Sequence, residues 1–247
     1  MRTRCDHTAA WGLLQSRFDS TAKSFDLRDA FANDPQRFST FSQDAPHVFA
    51  DLSKNLINTA IEQQLLALAQ QCGLEQYRDA MFRGDAINTS EQRAVKHWLL
   101  RSPLSPGSVA QDPDLQAVHE TLDAMLGYAE KVRADSAITD VVNIGIGGSD
   151  LGPQMAVLAL DAYAAAGKRL HFVSNIDGHE LAATLRRVNP HNTLFLIASK
   201  TFTTIETMTN AQSAKRWFEA QGGTDIARHF CALTTNVAAA NVFGITA

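Results

Sequence analysis

The spacing of apolar residues differs between the two halves of the chain. Up to about residue 100 the apolar positions follow a helical repeat, most clearly over residues 54–72, where they recur every three or four positions. Further helices are predicted over residues 94–100, where residues 88–92 offer capping side chains, and over residues 115–132. We therefore predict a helical N-terminal region.

From Ile138 onward, short apolar runs alternate with segments of helical spacing. The runs predicted as strands are 141–144, 170–173, 194–198 and 230–233, and the helices between them are predicted over 153–166, 179–187 and 204–219. This alternation is typical of βαβ units with right-handed crossovers, which build a parallel sheet. Because the strands are apolar throughout, we expect helices on both faces of the sheet, and hence an α/β fold.

A segment rich in proline and glycine separates these two parts. It spans residues 101–113 and contains Pro103, Pro106, Gly107 and Pro113. Such a composition is typical of linkers. We place the domain boundary here, with a helical region over residues 1–105 and an α/β domain over residues 106–247.

Composition narrows the class of protein. The chain has 247 residues, of which 45% are hydrophobic and 19% charged, so it can bury a sizeable core. Its net charge of −4 argues against nucleic acid as a main partner, because binding a phosphate backbone needs a basic surface. The sequence shows no apolar run long enough to span a membrane and no secretory signal.

The cysteines and histidines give no indication of a metal site. Cys5, Cys72 and Cys231 lie far apart and form neither a ligand pattern nor a disulfide framework. The eight histidines likewise lack metal-ligand spacing. We expect a reducing, cytoplasmic location and no bound metal.

A glycine-rich turn follows the first predicted strand. Residues 145–153 read Gly-Ile-Gly-Gly-Ser-Asp-Leu-Gly-Pro. Glycine lets the backbone approach a ligand closely, and Pro153 suits the first turn of the helix that follows. Free N–H groups at that helix N-terminus favour an anion. We interpret residues 145–152, the glycine turn, as one half of a phosphate-handling site.

A dinucleotide site is an alternative for the glycine turn. Gly145 and Gly147 fit the first two glycines of the dinucleotide fingerprint, but Asp150 stands where the third is required. A carboxylate is unfavourable beside a pyrophosphate, whereas Ser149 next to Gly148 offers a hydroxyl to a small sugar. The nucleotide hypothesis therefore takes second place.

A second polar turn, residues 199–204, directly follows the third predicted strand. Ser199, Thr201, Thr203 and Thr204 each carry an O–H group, and Lys200 adds an ammonium. Several donors at a helix N-terminus suit a phosphate monoester. The alternative is that these hydroxyls only cap the helix. Because ligands bind at the carboxyl ends of parallel strands, the two turns together favour a shared ligand site.

Glu206 lies in the first turn of the helix that follows this hydroxyl turn. Its carboxylate has two alternative roles. One is to complement the helix dipole, and the other is to orient a catalytic histidine. The sequence by itself favours the first.

Five stretches of the chain resemble the glucose-6-phosphate isomerase family. They are Asp-Leu-Ser-Lys-Asn at 51–55, Met-Phe-Arg-Gly-Asp-Ala-Ile-Asn at 81–88, Asn-Ile-Gly-Ile-Gly-Gly-Ser-Asp-Leu-Gly-Pro at 143–153, Val-Ser-Asn-Ile-Asp-Gly at 173–178 and Ser-Lys-Thr-Phe-Thr-Thr-Ile-Glu-Thr at 199–207. The resemblance covers nearly the whole chain in the family's order. It implies interconversion of glucose 6-phosphate and fructose 6-phosphate through an enediol, in glycolysis and gluconeogenesis, without metal or redox cofactor. It also implies a cytoplasmic homodimer whose subunits share active-site residues.

The resemblance further implies a fold and a set of site residues. The fold is the sugar-isomerase (SIS) α/β sandwich, a flavodoxin-like arrangement of three layers, preceded by a helical region that belongs to a second domain. The hydroxyl turn would hold the sugar phosphate, the glycine turn would line the sugar, and Glu206 would support a histidine from elsewhere in the assembly. The implied substrate-binding positions are Gly148, Ser149, Ser199, Lys200, Thr201, Thr203 and Thr204.

The chain departs from the family mainly in length. The segments that carry the family's arginine, glutamate base, ring-opening histidine and catalytic lysine have no counterpart here. Proton transfer needs a positioned base, and an enediolate needs a cation or donor nearby. We therefore expect an N-terminal portion that has no catalytic residue of its own and is inactive alone. A regulatory sugar-phosphate-binding module remains an alternative.

Overall fold

A computed structural model describes residues 3–105, 112–164 and 166–246. The chain divides into two compact units, Met1–Val118 and His119–Ala247. The predicted linker over residues 101–113 includes residues 106–111, which lie outside the described ranges, so the predicted boundary after residue 105 stays a prediction. Within those ranges, no helix is long and apolar enough to cross a membrane.

The first unit is mainly helical. Its helices are α1 (Ala9–Ser20), α2 (Leu27–Asn33), α3 (Arg37–Thr40), α4 (Thr59–Gln71) and α5 (Leu74–Arg83). Helix α4 confirms most of the helix predicted over residues 54–72, and it begins where the Asn58 side chain accepts a hydrogen bond from the Ile61 amide. It packs against α1, where Arg17 Nε donates to Gln64 Oε1 at 3.0 Å.

Two predictions for this unit are wrong. An antiparallel hairpin of β1 (Ser42–Ala45) and β2 (Val48–Asp51) interrupts the region that was predicted to be helical. Both strands are mostly exposed, so they lack the in–out alternation by which a strand is predicted. The helix predicted over residues 94–100 is a 3-10 helix at His97–Arg101. The Asn88 side chain accepts hydrogen bonds from Ser90 and from the Glu91 amide, so it closes a turn and does not cap a helix.

Arg37 fixes the segment that follows the hairpin. It is buried, and its guanidinium donates to the carbonyls of Ser53 and Asn55, each at 2.8 Å. The same group lies over the Phe41 ring, 4.9 Å from the centroid. The stretch at residues 51–55 is therefore held by charge-assisted bonds from α3.

The second unit is built around a parallel sheet with strand order β4-β3-β5-β6. The strands are β3 (Asp140–Gly145), β4 (Arg169–Val173), β5 (Thr193–Ala198) and β6 (Phe230–Leu233). The helices are α6 (Asp114–Ala134), which begins in the first unit, α7 (Leu151–Ala159), α8 (Gly178–Leu185), α9 (Ile205–Ala220), α10 (Ile226–His229) and α11 (Val237–Phe243). All four predicted strands are confirmed to within one residue at each end. Helix α7 ends at Ala159, well before the predicted end at residue 166.

Helices pack on both faces of this sheet. On one face Val142, Ile144, Phe195 and Ile197 are buried in a core to which α8, α9 and α11 contribute. Cys231 faces the other side of the sheet, where burial raises the pKa of its thiol and Tyr128 of α6 hydrogen-bonds to it. The sheet thus lies between two helical layers, which confirms the predicted α/β fold with flanking helices.

Candidate functional site

The strand order creates a switch point between β3 and β5. Strand β3 has β4 on one side and β5 on the other, so the connections from β3 to β4 and from β4 to β5 run in opposite directions across the sheet. In open α/β sheets, ligands bind in the crevice at the carboxyl ends of the strands at such a point. Gly145 and Ala198 end the two strands and are register partners. The structure therefore places the two strand ends that lead into the glycine turn and the hydroxyl turn side by side.

The glycine turn folds back over the end of β3. Residues Gly147–Ser149 form one turn of 3-10 helix, and Gly147 has a φ of 56°. Asn143 Nδ2 donates to the Ser149 carbonyl at 2.9 Å. A Cβ at Gly145 would lie only 2.8 Å from that carbonyl oxygen, so glycine is required for this close approach.

The surface above the glycine turn is open. Gly147 and Gly148 are exposed, and a Cβ at either position would meet no atom of the described residues within 4 Å. Ser149 is half-buried beside them. A small polar ligand can thus reach the backbone of Gly148 and the hydroxyl of Ser149.

The hydroxyls of the second turn bond to one another. Ser199 Oγ lies 3.1 Å from Thr204 Oγ1, and Thr203 Oγ1 donates to Thr201 Oγ1 at 2.7 Å. Thr204 is the N-cap residue of α9, yet its side chain makes no capping hydrogen bond. The hydroxyl of Thr204 is therefore not used for helix capping, and the N-terminus of α9 stays suited to an anion.

Phe202 fixes the shape of the hydroxyl turn. Its φ is 56°, a left-handed conformation that is rare for a bulky residue. The side chain is buried, and its ring meets Phe243 of α11 edge to face with centroids 5.9 Å apart. Packing in the core thus stabilises a strained backbone in the middle of the turn.

The loop after β6 holds the hydroxyl turn by hydrogen bonds to its backbone. The Lys200 carbonyl accepts hydrogen bonds from the Thr235 amide at 2.9 Å and from the Thr234 and Thr235 hydroxyls at 3.0 and 2.9 Å. Asn236 Nδ2 donates to the Thr201 carbonyl at 3.1 Å. Sequence reasoning missed these three residues. The available signal was a polar Thr-Thr-Asn run directly after a predicted strand, at the same edge of the sheet.

The loop after β4 is joined to the same framework. The Glu180 carboxylate accepts from the amides of Ser174 and Asn175 at 3.0 and 2.6 Å. Asn210 of α9 is 3% exposed and donates to the Asn175 carbonyl at 2.8 Å. Helix α9 therefore links the hydroxyl turn to the loop after β4.

Glu206 and Lys200 have side chains available for further contacts. Glu206 is half-buried in the first turn of α9, and no hydrogen bond or ion pair to its carboxylate occurs in the described part of the chain. Lys200 is exposed at the crevice. Among the residues with described positions, no group of three His, Cys, Asp or Glu side chains is arranged to hold a metal ion.

Comparison with known proteins gives one consistent family. Residues 51–247 match the family model described as phosphoglucose isomerase. The chain is 70% identical over 251 residues to a glucose-6-phosphate isomerase of Albidiferax ferrireducens, in an alignment that covers 99% of this chain and 48% of the relative. It is 45% identical over 253 residues to a glucose-6-phosphate isomerase of Aspergillus oryzae, covering 96% of this chain and 46% of that relative.

A solved structure agrees with these relatives. The crystal structure of a glucose-6-phosphate isomerase from Chlamydia trachomatis matches with a TM-score of 0.78 and 25% identity, over 94% of this chain and 45% of that one. The chain therefore spans about half the length of the relatives that it matches.

Proposed function

The chain belongs to the phosphoglucose isomerase family, and on that premise we propose that it binds a hexose 6-phosphate between the glycine turn and the hydroxyl turn. The observation that supports this proposal is the register pairing of Gly145 with Ala198, because the two strands that lead into the turns end side by side. One turn is rich in donors and the other is open to a small polar ligand. A sugar phosphate needs both.

The phosphate is assigned to the hydroxyl turn. Ser199, Thr201 and Thr204 supply hydroxyls, Thr203 orients Thr201, and Lys200 supplies charge. The first amides of α9 add donors and the positive end of a 16-residue helix. Several donors converging on one oxyanion are what a phosphate monoester requires.

The sugar is assigned to the glycine turn. The backbone of Gly148 and the hydroxyl of Ser149 would contact its hydroxyl groups across the open surface. Anchoring the unreactive phosphate places the reacting carbons in a fixed position, which lowers the entropic part of the reaction barrier.

The reaction proposed for the whole protein is the aldose–ketose interconversion of glucose 6-phosphate and fructose 6-phosphate, in glycolysis and gluconeogenesis. It moves a proton between C1 and C2 and therefore needs a base. We assign the base to the part of the relatives that this chain does not match, and we assign Glu206 to the support of a histidine from that part or from a partner subunit. A SIS-type fold, a cytoplasmic location and a homodimer belong to the same proposal.

Thermal protection tests the binding proposal. Glucose 6-phosphate and fructose 6-phosphate should raise the melting temperature of the chain, because a ligand that binds only the folded state stabilises it. Glucose and NAD should not. A Lys200→Ala, Thr201→Ala double variant should fold and lose the protection.

The matched control for this experiment is a Lys131→Ala, Thr224→Ala double variant. It removes the same two side-chain types at exposed positions on α6 and in the loop after α9. It should keep the protection. Protection by NAD without protection by hexose phosphates would overturn the proposal in favour of a nucleotide site.

A further inference from the structure

Asp150 is a buried carboxylate at the edge of the proposed site. It directly follows Ser149, is 5% exposed, and occupies the N-cap position of α7. Its amide donates to the Gly147 carbonyl at 3.1 Å, and its carbonyl accepts from the Gln154 amide at 2.9 Å. Its side chain makes no capping bond, and Oδ1 is buried without a hydrogen-bond partner among the described residues.

A buried carboxylate of this kind requires an explanation. Buried polar groups normally have partners, and an unpaired buried charge destabilises the fold. The free energy that this costs is partly offset because a negative charge at the N-terminus of α7 faces the positive end of the helix dipole. The backbone of Asp150 is used to build the turn, whereas Oδ1 of its carboxylate has no hydrogen-bond partner among the described residues.

Two helices therefore begin at the proposed site, and their N-termini differ in the charge that they present to a ligand. Helix α9 begins at Thr204 with hydroxyls and an exposed lysine, and so it attracts an anion. Helix α7 begins at Asp150 with a negative charge that water screens poorly, because the side chain is buried. Without that charge, an open glycine turn at a helix N-terminus would itself be a good anion site.

We propose that Asp150 is a specificity-determining residue that excludes a second anionic group from the glycine turn. The inference rests on the proposed function. The phosphate of the substrate is directed to the hydroxyl turn and uncharged sugar hydroxyls to the glycine turn, so the sugar binds in one direction. The same charge makes the site select hexose monophosphates and reject hexose bisphosphates, whose second phosphate would meet Asp150.

Calorimetric titration with two ligands tests this inference. The ligands are glucose 6-phosphate and glucose 1,6-bisphosphate, which differ by one phosphate group. The wild-type chain should bind the monophosphate about tenfold more tightly than the bisphosphate, as expected for one poorly screened charge nearby. Asp150→Asn and Asp150→Ser keep an N-cap side chain without the charge, and both should reduce that ratio to near one.

Asp177→Asn is the matched control. Asp177 is also an N-cap residue, of α8 at the next strand end, but it is exposed, and it accepts hydrogen bonds from the His179 amide and ring at 2.9 and 2.8 Å. Removing its charge should leave the ligand ratio unchanged, because water screens an exposed carboxylate.

The outcomes separate this inference from the function on which it rests. If the wild-type chain binds neither ligand, the proposed function fails. If it binds both ligands equally, the inference is overturned without any variant. If it prefers the monophosphate and a folded Asp150→Asn or Asp150→Ser variant keeps the full preference, Asp150 is not the cause and the inference is also overturned.

Discussion

Gly145 and Ala198 are the last residues of β3 and β5, and they lie opposite each other in the sheet. A Cβ on Gly145 would stand 3.2 Å from the Cβ of Ala198 and 2.8 Å from the Ser149 carbonyl oxygen. The glycine turn can therefore fold back over the end of β3, beside Ala198, only because residue 145 has no side chain.

A Gly145→Ala substitution should displace the glycine turn. The added methyl overlaps backbone that cannot move freely, so the free energy of unfolding should fall by about 2 kcal/mol. Affinity for glucose 6-phosphate should fall as well. Urea unfolding and calorimetry measure the two effects. In Gly152→Ala, the control, the new Cβ meets no atom of the described residues within 4 Å and lies in helix α7, so affinity should be nearly unchanged and stability should not fall.

A comparison of Phe202→Gly with Phe202→Ala tests whether the left-handed backbone of the hydroxyl turn is strained. Both variants lose the ring contact with Phe243, but only glycine adopts the φ of 56° freely. Phe202→Gly should therefore unfold at a higher urea concentration than Phe202→Ala. Its free energy of unfolding should be larger by about 1 kcal/mol. At Phe218, inside α9, the order should reverse because glycine destabilises a helix interior. If the glycine variant is more stable than the alanine variant at both positions, or less stable at both, the strain at Phe202 is contradicted.

The stability of the second unit should depend on the ionised Asp140. This carboxylate is fully buried and accepts hydrogen bonds from Arg169 at 2.8 and 2.7 Å and from His171 and Thr139. Burial raises the pKa of Asp140, but these three partners outweigh it and hold the pKa below its usual value. The contribution is therefore complete above about pH 4, the unfolded-state pKa, and is lost as pH falls through the lower folded-state pKa.

Asp140→Asn should lower the free energy of unfolding at pH 7 by about 3 kcal/mol, because it replaces a buried carboxylate that accepts charge-assisted hydrogen bonds from Arg169. Urea unfolding across pH 2–7 should also show a shallower acid dependence in the variant. Asp177→Asn again serves as the exposed control and should change stability little. An acid dependence that Asp140→Asn leaves unaltered would rule out this carboxylate as its source.

The sequence predicts the sheet much better than the N-terminal unit. Strands β3 and β5 are largely buried, β4 and β6 only in part, but all four are short, mostly apolar runs bounded by polar turns, so their limits are visible in the spacing. Strands β1 and β2 carry no such pattern, and their pairing depends on a turn in which His47 has a φ of 63°. A left-handed histidine has no clear signature in a single sequence, because tertiary context selects it.

The candidate site, too, is predicted from the sequence only in part. The hydroxyls of Ser199 to Thr204 are evident from composition, and the βαβ pattern predicts a parallel sheet with both turns at the same edge, but it does not predict that β3 pairs with β5. The support of the Lys200 carbonyl by Thr234 and Thr235 depends on β6 lying beside β5, which spacing alone does not determine. The buried state of Asp150 was equally invisible, because its sequence position is that of an ordinary N-cap.

The 247-residue chain should bind hexose 6-phosphates but not interconvert them. Moving a proton between C1 and C2 requires a base, and we assign that base to the half of the relatives that this chain does not match. An assay that couples glucose 6-phosphate formation to a dehydrogenase measures the turnover. The Albidiferax ferrireducens relative, tested at its full length, is the positive control. Turnover by the purified chain above background would contradict this prediction.

A crystal structure of the chain with glucose 6-phosphate would show where the phosphate and the sugar bind. We expect the phosphate within hydrogen-bond distance of the Ser199, Thr201 and Thr204 hydroxyls, with the sugar ring reaching Ser149. A phosphate bound at Gly147–Ser149, or at any site away from the switch point between β3 and β5, would contradict it.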